Sequence, residues 1–354
     1  MLNGKLGGSP NLALNIYHFP SPLGCMRPNL PIKYRRGVSR LYHLTLMAVL
    51  LLAAMLGCSV LGVVRFSWAE MWSSPIFLNL RLPRVILAVL IGAALSVCGA
   101  AYQSIFRNPL TDPYVLGISS GASLGAAVSI VLGLEAYMLG VGVCALVTGL
   151  LTILAIYRIA SIGNRMHTTT LLLTGVCITF LISAVISFLM VLNQDKMESI
   201  IFWTMGSLAS ATWSDVAFVA PVVLIGVAVV LYYCRDLNLM LVGSETAQSL
   251  GVEVEKVKRI LLLVTTVMVA FCVSACGVIG FVGLVVPHCM RLLCGPDNRK
   301  VIPYSIFVGG LFLLLCDTLA RTLLMPAELP VGSLTALVGA PLFVYLLYKN
   351  KKTF

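Results

Sequence analysis

Few side chains in this sequence combine type and spacing in a way that could do chemistry. Asp317 and Arg321 stand four residues apart, the spacing at which side chains meet on one helix face. A helical ion pair is the modest expectation there, and a proton-coupling carboxylate the sharper one. His288 follows Pro287 in Val285-Val286-Pro287-His288-Cys289-Met290-Arg291. A lone histidine in an apolar run can relay protons or make a structural hydrogen bond, and no acidic residue stands close to it in sequence. Cys272 and Cys276 share the i,i+4 spacing of a metal pair, but no histidine or carboxylate accompanies them. Packing is therefore their expected role, and neither a metal site nor a disulfide framework is expected from the 11 cysteines. No Gly-x-x-x-x-Gly-Lys-Ser/Thr phosphate loop occurs. No nucleophile stands with a base and an orienting acid. The chain is expected to be no enzyme and to carry no cofactor.

Composition sets the elements that hold these residues. Of 354 residues, 59% are hydrophobic and 10% charged, and the mean hydropathy is +1.00. A soluble domain of this length carries about 25% charged residues. The surplus apolar surface must face lipid. Apolar runs fall near 41–64, 84–106, 114–134, 138–158, 168–192, 214–234, 259–280, 282–295, 302–324 and 331–348. The expected fold is all-α, a polytopic membrane protein with about ten transmembrane helices. Residues 1–40 are rich in Pro, Gly and Asn and read as a flexible cytoplasmic tail, ending in Lys33, Arg35, Arg36 and Arg40, with Met26 as an alternative start. Residues 41–354 form the membrane domain.

The net charge of +11 reads as topology. Basic residues lie in short loops rather than in patches with interleaved aromatics, so nucleic acid is not an expected partner. With the N-terminus inside, only Arg65, Arg81, Arg84, Lys196 and Arg321 of the 24 Lys and Arg fall outside. Both termini are therefore placed in the cytoplasm. An internal echo accompanies this topology. Ser96-Val97-Cys98-Gly99 precedes Pro109 and Gly117 at the spacing with which Ser274-Ala275-Cys276-Gly277 precedes Pro287 and Gly295. The two copies would run in opposite directions, as in an inverted repeat, and chance is the other account.

Within this frame a second set of residues could bind rather than react. Arg81 and Arg84, before the second span, and Arg321, at the end of the ninth, are outer arginines, against the usual bias. They suggest docking of a partner's carboxylates, with snorkelling anchors as the plainer alternative. The inner loop 235–258 holds Ser244, Glu245, Ala247, Leu250, Gly251 and Val252. Ser244 suits an N-cap, Glu245 a first turn and Gly251 a left-handed stop, so a short helix of about two turns is expected. It reads as a surface connector or as a contact for a cytoplasmic motor. Gly117, Gly121 and Gly125 recur every four residues and leave a bare strip for a close helix neighbour. Gly175, Thr179, Ser183 and Ser187 make a weakly polar stripe on the fifth span, suited to lining a pathway or to packing.

Several segments together resemble one known family, the permeases of ABC importers for iron-siderophore, haem and cobalamin. They are Arg81-Leu82-Pro83-Arg84, Arg107-Asn108-Pro109-Leu110-Thr111-Asp112-Pro113, Leu116-Gly117-Ile118-Ser119-Ser120-Gly121-Ala122, Trp203-Thr204-Met205-Gly206-Ser207, Gly280 to His288, Glu328-Leu329-Pro330-Val331-Gly332 and Gly339-Ala340-Pro341. The resemblance runs from about residue 60 to 348. Val278, where the family often has proline, and Cys289-Met290 depart from it.

The resemblance implies the type II ABC importer permease fold in a homodimer or paired permease. It also implies two cytoplasmic ABC ATPase subunits, a periplasmic substrate-binding protein and a place in the bacterial inner membrane. It assigns Arg81, Arg84 and Arg321 to the binding protein's glutamates, residues 244–252 to the ATPase as the coupling helix, and the fifth span to the dimer-axis pathway. The expected function is import of an iron-siderophore or related chelate, with haem or cobalamin as alternatives. From another class, an ion-gradient-driven secondary transporter is the rival, weakened by the near absence of charge in the spans. An intramembrane enzyme is weakened by the lack of a nucleophile and base.

Overall fold

The computed structural model describes residues 32–62, 73–134, 140–162, 165–166, 168–325 and 327–349. Compactness separates residues 1–42 from residues 43–354. The first helix, α1, spans Ile32–Val60, so helix begins ahead of the expected span start at residue 41. Of the flexible tail expected over residues 1–40, residues 1–31 lie outside the described residues, and residues 32–40 belong to α1.

A π-turn at Phe77–Arg81 leads into α2 (Leu82–Ile105), with Pro83 in its first turn where no N–H is needed. There follow α3 (Ile118–Val131), α4 (Gly140–Ala160), α5 (Thr168–Leu192) and the short α6 (Met197–Thr204). Next come α7 (Trp213–Tyr232), α8 (Cys234–Val242), α9 (Ser244–Ser249) and α10 (Val254–Cys276). The last are α11 (Val282–Cys294), α12 (Asn298–Thr322) and α13 (Val331–Lys349). Ser161–Ile162 and Arg165–Met166 form a two-residue antiparallel pairing, the only sheet among the described residues. Among those residues seven helices are long and apolar enough to cross a bilayer, and α3, α11 and α13 are shorter apolar helices. Together they coincide with the ten expected spans.

α3 and α11 rise only about 20 Å at 1.5 Å per residue, short of the ~30 Å hydrocarbon core. The backbone beside them is irregular, and lipid would leave its polar groups unpaired, so it is buried against protein. Ile279 is fully buried, and its N–H donates to Tyr114 Oη at 3.4 Å. Phe281 stands at φ 67 before the first turn of α11.

Among the described residues, α2 is the core. Its most apolar stretch is 83% buried, against 17% for α5, which must face lipid or another chain. Lipid tails are as apolar as leucine, so close contact and polar bonds, rather than water exclusion, hold such a helix. Gly92 abuts the Gly309 carbonyl on α12, and Gly99 abuts Gly283 on α11. Between them Ser96 Oγ donates to Ser305 O at 2.7 Å. Gly121 and Gly125 lie against Thr152, Thr148 and Cys144 of α4, as the bare strip predicts. Gly117 does not join that strip, because it precedes α3 in the left-handed region and meets α5.

The internal echo does not mark equivalent positions. Cys98 and Gly99 lie inside α2, whereas Cys276 and Gly277 terminate α10 with Gly277 at φ 71.

Between α2 and α3, Asp112 caps the 3-10 turn Pro113–Leu116 by accepting from Tyr114 N at 2.9 Å. Burial raises its carboxyl from the ordinary 3.8 to about 6, and the Tyr114 N–H offsets only part of that rise. A raised folded-state pKa means that its contribution is full below about pH 4 and is lost as pH climbs through 6. Asp112→Asn keeps the cap and removes the titration. In detergent, thermal stability of the wild type should fall more steeply than that of the variant between pH 4 and 7; parallel curves would count against the buried charge.

Candidate functional site

Two polar clusters sit at opposite ends of α2. Arg84 and Ser104 are twenty residues apart on that helix, about 30 Å at its rise.

At the Arg84 end the three expected docking arginines converge, but all are buried, at 8% for Arg81, 8% for Arg84 and 5% for Arg321. Two of them serve α1, whose last carbonyls have no partner within the helix. Arg81 Nη1 donates to Ser59 O at 3.2 Å and Val60 O at 2.9 Å, and Arg321 donates to Cys58 O. Cations at a helix C-terminus also suit its dipole. Arg84 reaches across to α12. Its Nε donates to both oxygens of Asp317 at 3.0 and 3.1 Å, and its Nη2 lies 2.9 Å from Oδ1. Arg321 Nε is 3.9 Å from Asp317, so the local pair suggested by i,i+4 spacing is the weaker contact. Asp317 itself has no exposed surface, the geometry of a structural ion pair rather than of a carboxylate opening onto a pathway.

In the sequence Glu328 stood only within the Glu328-to-Gly332 segment of the family resemblance, with no role of its own. Its carboxylate takes Arg84 Nη1 at 2.9 Å, and its side chain is 42% exposed. The surface therefore presents a carboxylate with the guanidinium beneath it. Arg84 and Glu328 stand 244 residues apart, so no local spacing pairs them. Beside Glu328, Trp203, Ser207 and Pro330 line a cavity of about 350 Å³. Ser207 N donates to Cys276 O at 2.8 Å, joining the Trp203-to-Ser207 turn to the end of α10.

At the other end, α9 forms as expected over Ser244–Ser249. Gly251 stops it at φ 86, with Gly251 N bonded to Gln248 O and Val252 N to Ala247 O. Its N-cap, however, is Gly243. Ser244 is the first helical residue, and its hydroxyl accepts Arg107 Nη2 at 2.5 Å from the end of α2. Ala247 is fully buried against the bundle, Val252 is nearly so, and Leu250 is 62% exposed. Glu245 lies in the first turn.

The α5 stripe divides. Gly175 is buried against Val115 O and Leu116, and Thr179 Oγ1 bonds Ser120 Oγ at 3.3 Å, so both pack. Ser183 and Ser187 are exposed, flanked by exposed Phe180 and Phe188. His288 is buried with its ring edge-on to Phe343, centroids 5.3 Å apart. No group of metal-binding residues occurs among the described residues, and Cys272 and Cys276 are buried in the apolar core.

Comparison with known proteins places this arrangement. The FecCD transport family model matches residues 45–349. The cobalamin import system permease protein BtuC of Halobacterium salinarum is 45% identical over 269 residues, 76% of this chain and 72% of that protein. The hemin transport system permease protein HmuU of Yersinia pestis is 39% identical over 320 residues, 86% of this chain and 94% of its own. Among solved structures, a metal-chelate type ABC transporter in an inward-facing conformation superposes with TM-score 0.78 at 31% identity, covering 87% of this chain and 99% of that one. A bundle of apolar helices matched over residues 45–349 by a family model, and over three quarters or more of the chain by these relatives, leaves one assignment: this chain belongs to the FecCD transport family of ABC importer permeases.

Proposed function

We propose that this chain is the permease subunit of an ATP-driven importer that carries a metal chelate across the cytoplasmic membrane. The observation that carries the proposal is the likeness to a metal-chelate type ABC transporter over 87% of this chain and 99% of that one. Two copies pair, with exposed α5 and its Ser183 and Ser187 facing the shared axis. ATPase subunits engage the loop around α9, where Leu250 is exposed, and a substrate-binding protein docks at the Arg84 end. Both termini lie in the cytoplasm, as the basic residues require. The chelate is assigned first to the tetrapyrroles, because the two relatives described above are named for cobalamin and hemin. A ferric siderophore is the alternative.

Reconstituted vesicles test this. Chelate uptake should need the ATPase subunit, enclosed ATP and the binding protein. Uptake driven by an ion gradient without the ATPase subunit would overturn the proposal in favour of a secondary transporter. Offering the binding protein cobalamin, haemin and a ferric siderophore decides the substrate.

Docking has its own test. Charge reversal of a buried arginine would disturb the bundle itself, so the informative position is Glu328. Glu328→Gln leaves Asp317 paired and removes the charge that competes with a partner carboxylate for Arg84 Nη1. Binding-protein affinity should rise roughly 2- to 10-fold. Unchanged or weaker docking would remove Arg84 from the docking surface.

A further inference from the structure

A polar network at the α9 end joins the coupling loop to the core helices through side chains that lie outside the docking and coupling sites described above. α8, which leads into α9, buries Cys234, Leu237 and Met240 on one face. From it Asn238 reaches the start of α12. Asn238 Nδ2 donates to Asp297 Oδ1 at 2.6 Å, and Asn238 Oδ1 accepts Asn298 N at 2.7 Å. Asn298 is fully buried, and its Oδ1 lies 3.1 Å from Ser104 Oγ of α2, whose single proton is shared with Ala100 O at 2.8 Å. Ser104 Oγ in turn accepts Arg291 Nη2 of α11 at 2.9 Å, and the same nitrogen donates to Ala100 O at 3.0 Å. Arg291 Nε completes the contact with Gln103 Oε1 at 3.3 Å. Four helices thus meet through consecutive hydrogen bonds: α8, α12, α2 and α11.

The Ser104–Asn298 bond is buried and its neighbours in the network are half-buried, so a displacement of α8 either carries its neighbours or leaves the inner polar groups short of partners. Asn298 Nδ2 already lacks an acceptor among the described residues, so the network holds one donor with no bond to lose when its neighbours rearrange. We propose that Asn238, Asn298, Ser104 and Arg291 are positioning residues that gear the coupling loop to the core helices α2, α11 and α12. The linkage rests on the transport function proposed above, but its geometry does not.

Two measurements separate the two. In the purified chain alone, Asn238→Ala should raise amide exchange at Gln103 to Arg107 roughly tenfold, although Asn238 bonds none of them. Exchange confined to α8 and the start of α12 would overturn the linkage whatever the transport assay shows. In vesicles with the ATPase subunit and binding protein, Asn238→Ala and Asn298→Ala should each raise ATP consumed per chelate imported by roughly 3- to 30-fold. Assembly and the ATPase rate should be retained. The double variant should be no worse than the more severe single one, because the two residues act in series. An unchanged ratio, or additive losses, would overturn the proposal. Wild-type vesicles without ATP-dependent uptake would instead fault the transport function, leaving the exchange experiment to decide the linkage.

Discussion

Asp317→Leu should destabilise the bundle by about 3–5 kcal/mol, the cost of breaking one side of a buried ion pair. The Asp317 side chain is 0% exposed and that of Arg84 9%. Asp317 and Glu328 balance the charges of Arg84 and Arg321, and removing Asp317 leaves two guanidiniums facing one another out of water. Arg84 would retain Glu328, while Arg321 would retain, among the described residues, Cys58 O and Thr318 Oγ1. Replacing both members, Arg84→Leu with Asp317→Leu, removes the guanidinium that would face Arg321 and leaves Arg321 as the one arginine of this pair still without Asp317. That double variant should lie closer to wild type than either single one, since an apolar pair often substitutes for a buried ionic one at little cost. Thermal unfolding of the four proteins in one detergent gives the cycle. A single variant as stable as wild type, or strictly additive losses, would show that Asp317 holds no buried charge in place.

That pairing marks where sequence inspection ends. Hydropathy located the ten spans because lipid cannot satisfy a peptide group, so each crossing segment must be helical and long. Charge asymmetry gave an orientation for the same kind of reason. Neither sets how a helix is rotated about its axis. Arg84 and Asp317 lie 233 residues apart, and only the antiparallel contact of α2 with α12 brings them together. The nearer Arg321 therefore looked like the partner. The outer arginines were expected to be exposed because their loop is outside, yet the end of α1 needed donors for its carbonyls and took Arg81 and Arg321. Ser244 was expected to cap α9 and instead receives Arg107. In the α5 stripe, spacing could show four small residues on one face, but not that Gly175 and Thr179 would be claimed by the turn before α3 while Ser183 and Ser187 stayed open. What sequence resolved was set by solvent; what it missed was set by the neighbouring chain segment.

The second large effect concerns Gly99. A Cβ there would lie well inside van der Waals contact distance of the Gly283 carbonyl oxygen, a backbone atom that no rotamer change can move. α2 cannot slide to make room. It is fixed toward one end by Gly92 against Gly309 and by Arg84 on Asp317, and beside the contact by Ser96 on Ser305. Overpacking a core costs ~1–3 kcal/mol where side chains can yield, and here the obstruction is main chain. In lipid that close approach is itself much of what joins the helices, so Gly99→Leu should abolish the folded monodisperse protein and Gly99→Ala should lower its melting temperature clearly. Gly283→Ala should behave like Gly99→Ala, because its Cβ would strike the Pro113 ring at 2.6 Å and Leu95 O at 2.8 Å. Gly57 in α1 supplies the contrast. Nothing lies within 4 Å of its Cβ position, so Gly57→Ala should leave stability unchanged or raise it by up to ~1 kcal/mol through helix propensity. If Gly99→Leu and Gly57→Ala gave the same melting temperature and yield, the contact of α2 with α11 could not be what holds the core helix in place.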